Sequence, residues 1–225
     1  FANNPAAAAS IMRELINGRL VSAMRGEVRD IDESSFRQGV VSTRFYGELW
    51  VPEELRYLQQ VKSGGKEIEA LAVQEIAADV VEAMDPGDIY FIGSGSTTAA
   101  INEALGLENT LLGVDVVKDH ALLLLDATES ELLEFARQGP CHIIVTAIGG
   151  QGHIFGRGNQ QLSAEVIRTV GLANITVIAT KSKLEALEGK PLLVDTGDAA
   201  LDKLLTGTIR VVTGYEDAVL YPVAG

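Results

Sequence analysis

The chain has 225 residues, 47% hydrophobic and only 22% charged, a balance that excludes a disordered segment and fits a packed globular core. A formal net charge of −13 leaves too few basic residues for a face that grips nucleic acid, and it disfavours an anionic membrane surface. The apolar runs are strand-length, too short to span a bilayer, and the single cysteine, Cys141, cannot form an internal disulfide, which suits a reducing cytoplasm.

The first predicted element is a helix from Asn4 to Gly18, with Pro5 in its first turn, an Ala-rich run behind it and Asn17-Gly18 to end it. Alternating residues at Val28–Asp32 and Val41–Tyr46 then predict short strands, antiparallel and partly exposed. Ser63-Gly64-Gly65-Lys66 reads as a linker. It divides an N-terminal helix and short β section at 1–65 from the remainder at 66–225.

Beyond the linker a helix is expected from Ile68 to Met84, stopped by Asp85-Pro86-Gly87. Strands at Ile89–Ile92, Leu111–Val117, His142–Thr146, Ile175–Ala179 and Leu192–Val194 alternate with helices at Thr97–Leu105, Glu129–Gln138, Ala164–Val170, Ser182–Leu187 and Ala199–Leu205. Ile209–Val212 and Ala218–Tyr221 close the chain as strands around a hairpin turn at Thr213-Gly214-Tyr215. Continuous apolar strands alternating with helices predict an α/β fold. It would hold a mostly parallel sheet with helices on both faces, preceded by a small antiparallel section. Such a sheet places ligands at the carboxyl ends of its strands.

Glycine-rich segments follow those strands. Gly93-Ser94-Gly95-Ser96-Thr97-Thr98 leads from a strand into a helix. Glycines there let backbone approach a ligand, hydroxyls donate to it, and the helix N-terminus offers free amides, which together make a phosphate cradle. It is neither a Walker A loop nor a dinucleotide fingerprint, and the same residues would also serve an ordinary capped turn. Gly149-Gly150-Gln151-Gly152 continues into Gly156-Arg157-Gly158-Asn159-Gln160-Gln161. Here Arg157 can pair with phosphate and the carboxamides can read a base or ribose. Asp115, inside an apolar strand, and Asp195 are the candidate catalytic acids or bases, and Asp195 with Asp198 is a candidate metal pair. Asp198 would equally serve as a helix cap. His120, His142 and His153 form no close-spaced pair, so a zinc site is not expected, and Cys141 reads as a small buried hydrophobe.

On these loops, together with Leu112–Val117, Ile148–Gly152, Phe155–Gln161, Val194–Asp198 and Glu27–Asp32, the chain resembles the ATP/polyphosphate-dependent NAD kinase family of bacterial type. The resemblance implies phosphorylation of NAD at the adenosine ribose 2′-hydroxyl, with ATP or polyphosphate as donor and Mg²⁺. It further implies that the catalytic acid lies in an N-terminal domain bearing a Gly-Gly-Asp-Gly-Thr motif. That motif is not in this sequence, and Gln151 stands where its acid would be; a carboxamide cannot act as a general base. The chain is therefore expected to be the C-terminal portion, inactive alone. NAD kinases carry a β-rich C-terminal domain, whereas the periodicity after residue 66 predicts α/β. The expected partners are a small nucleotide or phosphate ligand and further copies of the chain, with no nucleic acid and no membrane. A sugar-phosphate isomerase or deaminase, whose phosphate loop the Gly93–Thr98 segment also resembles, and a non-catalytic nucleotide-binding module are the alternatives.

Overall fold

A computed structural model describes residues 5–19, 21–31, 43–53, 65–148, 150 and 152–225. In chain order the elements are α1 (Pro5–Ile16), β1 (Val21–Ile31), β2 (Thr43–Glu53), α2 (Gly65–Glu82), β3 (Ile89–Ile92) and α3 (Ser96–Ala104). Then come β4 (Asp115–Lys118), β5 (Ala121–Leu124), α4 (Glu129–Ala136), β6 (Cys141–Thr146), β7 (His153–Phe155) and α5 (Ala164–Val170). The last are β8 (Ile175–Ile178), α6 (Lys181–Glu185), β9 (Leu192–Val194), α7 (Ala199–Leu205), β10 (Gly207–Gly214) and β11 (Asp217–Ala224). Among the described residues, no helix is long and apolar enough to cross a membrane.

The fold is α/β. Its centre is the parallel run β3-β6-β8-β10, whose strands lie side by side in chain order, with one or two other strands between each and the next in sequence. Antiparallel strands extend this centre at both ends: β4 and β5 beyond β3, and β11, β1 and β2 beyond β10. Short β7 and β9 pair with each other, and β9 joins the sheet beside β11.

Burial on both faces explains the apolar strands. Phe91, Ile143, Val145, Val177 and Val211 point to one side, where they meet Leu132 of α4, Val166 and Ile167 of α5 and Leu201 of α7. Ile92, Ile144, Ile178 and Val212 point to the other, where Ile76 of α2 and Ile101 of α3 cover them. Each such side chain removed from water contributes roughly 1.5–3 kcal/mol. The helices begin where the sequence supplies caps. Thr128 and Glu131 form a reciprocal capping box on α4, Ser163 caps α5, Thr180 caps α6 and Asp198 caps α7.

The β1–β2 hairpin is longer than the expected strands, with eleven residues in each arm and a register shift between Val28 and Arg29. Val21 pairs with Leu220 and Ser22 with Val219, so this antiparallel section continues the main sheet. Trp50 lies over the Arg210 guanidinium at 3.9 Å, which fastens the hairpin to β10. The expected strand at Leu111–Val117 forms only from Asp115, because the preceding segment bends away and Gly113 has no room for a side chain beside the Asp126 carboxylate. The strands β5 and β7 were not anticipated. Of the linker, residues 63 and 64 lie outside the described residues, as do 32, 41 and 42 of the two expected strands.

Cys141 is 3% exposed, and its thiol faces the Phe135 and Gly139 carbonyls. Burial, reinforced by the Asp88 carboxylate, pushes its pKa up to about 11. Because the thiolate is the reactive form, Ellman's reagent at about pH 8 is expected to leave the folded chain unlabelled and to titrate one thiol after denaturation. Rapid labelling of the folded chain would contradict this packing.

Candidate functional site

The carboxyl ends of β3, β6 and β8 lie side by side, and the loops leaving them converge. After β3 the backbone runs against β6: the Gly93 amide donates to the Ile144 carbonyl at 2.8 Å. Gly95 has φ +125°, and a Cβ there would fall 2.7 Å from the Thr146 methyl. Its conformation and its surroundings both require glycine. The Gly95 amide donates to the Leu111 carbonyl at 2.9 Å, which fixes the direction in which α3 starts.

That start is the chemically open feature. No side chain caps α3, in contrast to α4 through α7. The Thr98 hydroxyl donates back to the Gly95 carbonyl at 2.8 Å, and Ser96 is exposed. The first-turn amides therefore present partial positive charge without a protein acceptor from a capping side chain.

The second glycine-rich segment docks directly on the first. The Ser94 hydroxyl donates to the Gly158 carbonyl at 2.7 Å. Gly156, with φ +92°, approaches the next loop so closely that a Cβ would overlap the Asp195 carbonyl at 1.8 Å. The structure thus brings together Gly93–Thr98, Gly156–Asn159 and the backbone of Asp195. Arg157 and Gln160 are exposed, and Arg157 makes no ion pair or hydrogen bond among the described residues. Asn159 is buried; its amide nitrogen donates to the Ile154 carbonyl at 2.9 Å while its carbonyl oxygen has no partner. Gly150 is exposed and Gly152 buried, whereas Gly149 and Gln151 lie outside the described residues.

Lys183 belongs to this site and was not singled out in the sequence. Its ammonium, on α6, donates to the Thr97 hydroxyl at 3.2 Å across 86 positions of sequence. Desolvation by burial lowers its pKa, and the Glu69 carboxylate partly offsets this. The available signal was positional: a lysine just past the carboxyl end of a parallel strand sits at the ligand edge.

The acids behave differently from the glycine loops. Asp115 is 1% exposed and its carboxylate accepts from the Asn102 amide at 3.0 Å, the Thr110 amide at 2.8 Å, the Thr110 hydroxyl and the Asp126 amide at 3.1 Å. Both oxygens are committed to holding the 107–126 segment onto α3. Asp195 is exposed. Asp198 accepts from the Ala200 and Leu201 amides with one oxygen and from Arg168 at 2.8 Å with the other. The Arg168 hydrogen bond, with the cap amides, holds its pKa below the usual carboxylate range. One Asp198 oxygen is taken up by the helix cap, so an ion shared with Asp195 would compete with Arg168 for the other. The one three-residue set of metal-ligand type among the described residues, Asp85, Asp88 and His142, lies at the opposite, amino edge of the sheet. There His142 is already paired with Asp88 at 2.8 Å and stacked on Tyr90.

Replacing Asp115 with Asn would turn an amide N–H₂ toward donors that now meet a carboxylate. Asp115→Asn is expected to cost about 2–4 kcal/mol in urea-induced unfolding, through donors left buried and unpaired. A loss under about 0.5 kcal/mol, as for an ordinary surface substitution, would show that the network does not hold this region.

The model of the ATP-NAD kinase C-terminal domain family matches residues 87–223, which include β3 to β10, β11 but for its last residue, and all of the loops just described. No curated protein and no solved structure matches the chain. With a match over more than half of its length, the chain belongs to the ATP-NAD kinase C-terminal domain family.

Proposed function

We propose that the carboxyl edge of β3, β6 and β8 holds phosphate groups of NAD or of the phosphoryl donor, ATP or polyphosphate. The chain would thereby supply the ligand-holding part of a NAD kinase-like phosphotransferase of the cytoplasm. The observation that carries this reading is the uncapped first turn of α3, joined through Ser94 and Gly158 to the loop that presents an unpaired Arg157. Amides at a helix start and a guanidinium are the groups that recognise phosphate oxygens, and they suit a phosphoryl-transfer family.

Binding and chemistry are separable here. Transfer to a ribose hydroxyl needs a group that orients the hydroxyl and accepts its proton. Asp115 has no free lone pair directed outward, and the Gly-Gly-Asp-Gly-Thr motif is not in this sequence. Asp115 therefore positions and does not take the proton; Asp195, exposed at the same rim, is the remaining candidate in this chain, and the chain alone is expected to show no turnover. Mg²⁺, when bound, would supply charge neutralisation at the phosphates, and the ligand oxygens are its natural partners in place of the Asp195–Asp198 pair.

Thermal unfolding with NAD, NADP, ATP, polyphosphate and sugar phosphates, each with and without Mg²⁺, tests the reading. A nucleotide at about a hundred times its Kd stabilises the folded state by about 2.7 kcal/mol and raises Tm by roughly 5–10 °C. Arg157→Ala is expected to leave the ligand-free Tm unchanged, since Arg157 has no partner to lose among the described residues, and to weaken nucleotide affinity about tenfold. A shift with sugar phosphates alone would transfer the site to an isomerase-like function, and no shift with any ligand would end the proposal.

A further inference from the structure

Within the edge just described, three observations meet at one point beneath the start of α3. The first is Thr146, at the end of β6. It is 1% exposed and its hydroxyl has no hydrogen-bond partner, although its methyl packs against Gly95, the residue that precedes the first turn of α3. A buried hydroxyl left unpaired costs stability, and a ligand oxygen or water that met it would remove that cost.

The second is Lys183. In a chain of net charge −13 its half-buried ammonium has a neutral hydroxyl, that of Thr97, as its hydrogen-bond partner. No carboxylate lies within ion-pair distance of it among the described residues; the nearest acting charge, Glu69 on α2, accepts a hydrogen bond from Ser182 instead. A cation drawn partly out of water, with Glu69 acting on it only from beyond ion-pair distance, is stabilised further if an anion completes the site. The third is the uncapped nine-residue helix α3, whose first-turn amides face the same region.

Strand order explains why the three coincide. The strand β6 lies between β3 and β8, with Ile144 paired to Ile92 on one side and Thr146 paired to Ile178 on the other. Lys183, following β8, reaches over the end of β6 to Thr97, following β3. Thr146 is the last residue of β6, under that bridge.

We propose that Lys183, Thr146 and the first turn of α3 form a subsite for a single phosphate group, separate from the contact made by Arg157. The Lys183 ammonium neutralises the anion, the α3 amides orient its oxygens, and the Thr146 hydroxyl acquires the partner it now lacks. This assignment rests on the reading that the carboxyl edge binds nucleotide phosphates, and it adds which residues bind one of them. A free phosphate ion and a phosphate group of a nucleotide share this chemistry.

Isothermal titration of the full chain with inorganic phosphate, NAD, NADP and ATP distinguishes the sources. The comparison is between wild type, Lys183→Met, Lys183→Arg and Thr146→Val. Lys183→Met is expected to lose tenfold or more in affinity for phosphate and for the nucleotide that uses the subsite, and Lys183→Arg to recover part of the loss. Thr146→Val keeps the side-chain shape and removes the unpaired hydroxyl. It is expected to raise the ligand-free Tm by a few degrees and to weaken phosphate binding several-fold, a combination that a purely structural role would not produce. Nucleotide binding that depends on Arg157 but is indifferent to Lys183→Met and Thr146→Val would overturn the subsite and leave the wider reading intact. Absence of binding by phosphate and by every nucleotide would overturn both.

Discussion

The central strands of this protein are covered on both faces, and the position of its site follows from that constraint. Phe91, Ile143, Val177 and Val211 are wholly buried on one side, as are Ile92, Ile144 and Ile178 to within 2% on the other. Neither face leaves room for a ligand, so polar chemistry is confined to the strand ends. At the carboxyl ends the loops must turn directly into helices or cross neighbouring loops. Glycine is then required where two backbones meet, at Gly95 against Thr146 and at Gly156 against Asp195. The hydrogen bond from Ser94 to Gly158 makes the two crossing loops one rigid rim. That the candidate site lies at this edge is thus a consequence of how the sheet is covered.

Through the same arrangement an acidic protein can hold an anionic ligand of the kind proposed above. At physiological ionic strength charges more than about 8 Å apart in solvent are largely screened from each other. Lys183 and the first turn of α3 would act on such a ligand at contact distance in a partly dry setting, where electrostatic interactions are much stronger than between solvated charges. Local geometry outweighs the formal −13. Net charge bears on non-specific association with nucleic acid or membrane, and there the acidity does count.

Legibility in the sequence followed the same physical divide. The strands β3, β6 and β8 were readable because burial on both faces makes them continuously apolar, and α4 through α7 because they start at Thr, Ser or Asp caps. The strand β5 was hidden because the turn before it, Asp119-His120, takes positive φ without the Asn-Gly or Asp-Gly pair that announces such a turn. The strand β7 has three residues among glycines, too few for a period to register. The β1–β2 hairpin was underestimated because Gly26 and Gly47 interrupt its alternation. In the site, the glycine loops were visible and their convergence was not, since contacts over 64 and 86 positions depend on strand order. Lys183 escaped notice for the ordinary reason that a lysine on a short amphipathic helix resembles a solvated one.

Asp115 shows how a correct observation about sequence can point to a different role. A carboxylate inside an apolar strand does need a special reason to be there. The reason visible in the structure is a set of donors from Asn102, Thr110 and Asp126. Those bonds fix the segment ending at Leu111, whose carbonyl receives the Gly95 amide at 2.9 Å. Asp115 is also paired in register with Ile92, the last residue before the glycine loop. The buried acid therefore reaches the carboxyl edge of the sheet through one intermediate segment, by holding the acceptor that sets the start of α3. Its two oxygens are fully occupied in doing so. What the α3 amides face depends on that anchor as much as on the glycines themselves.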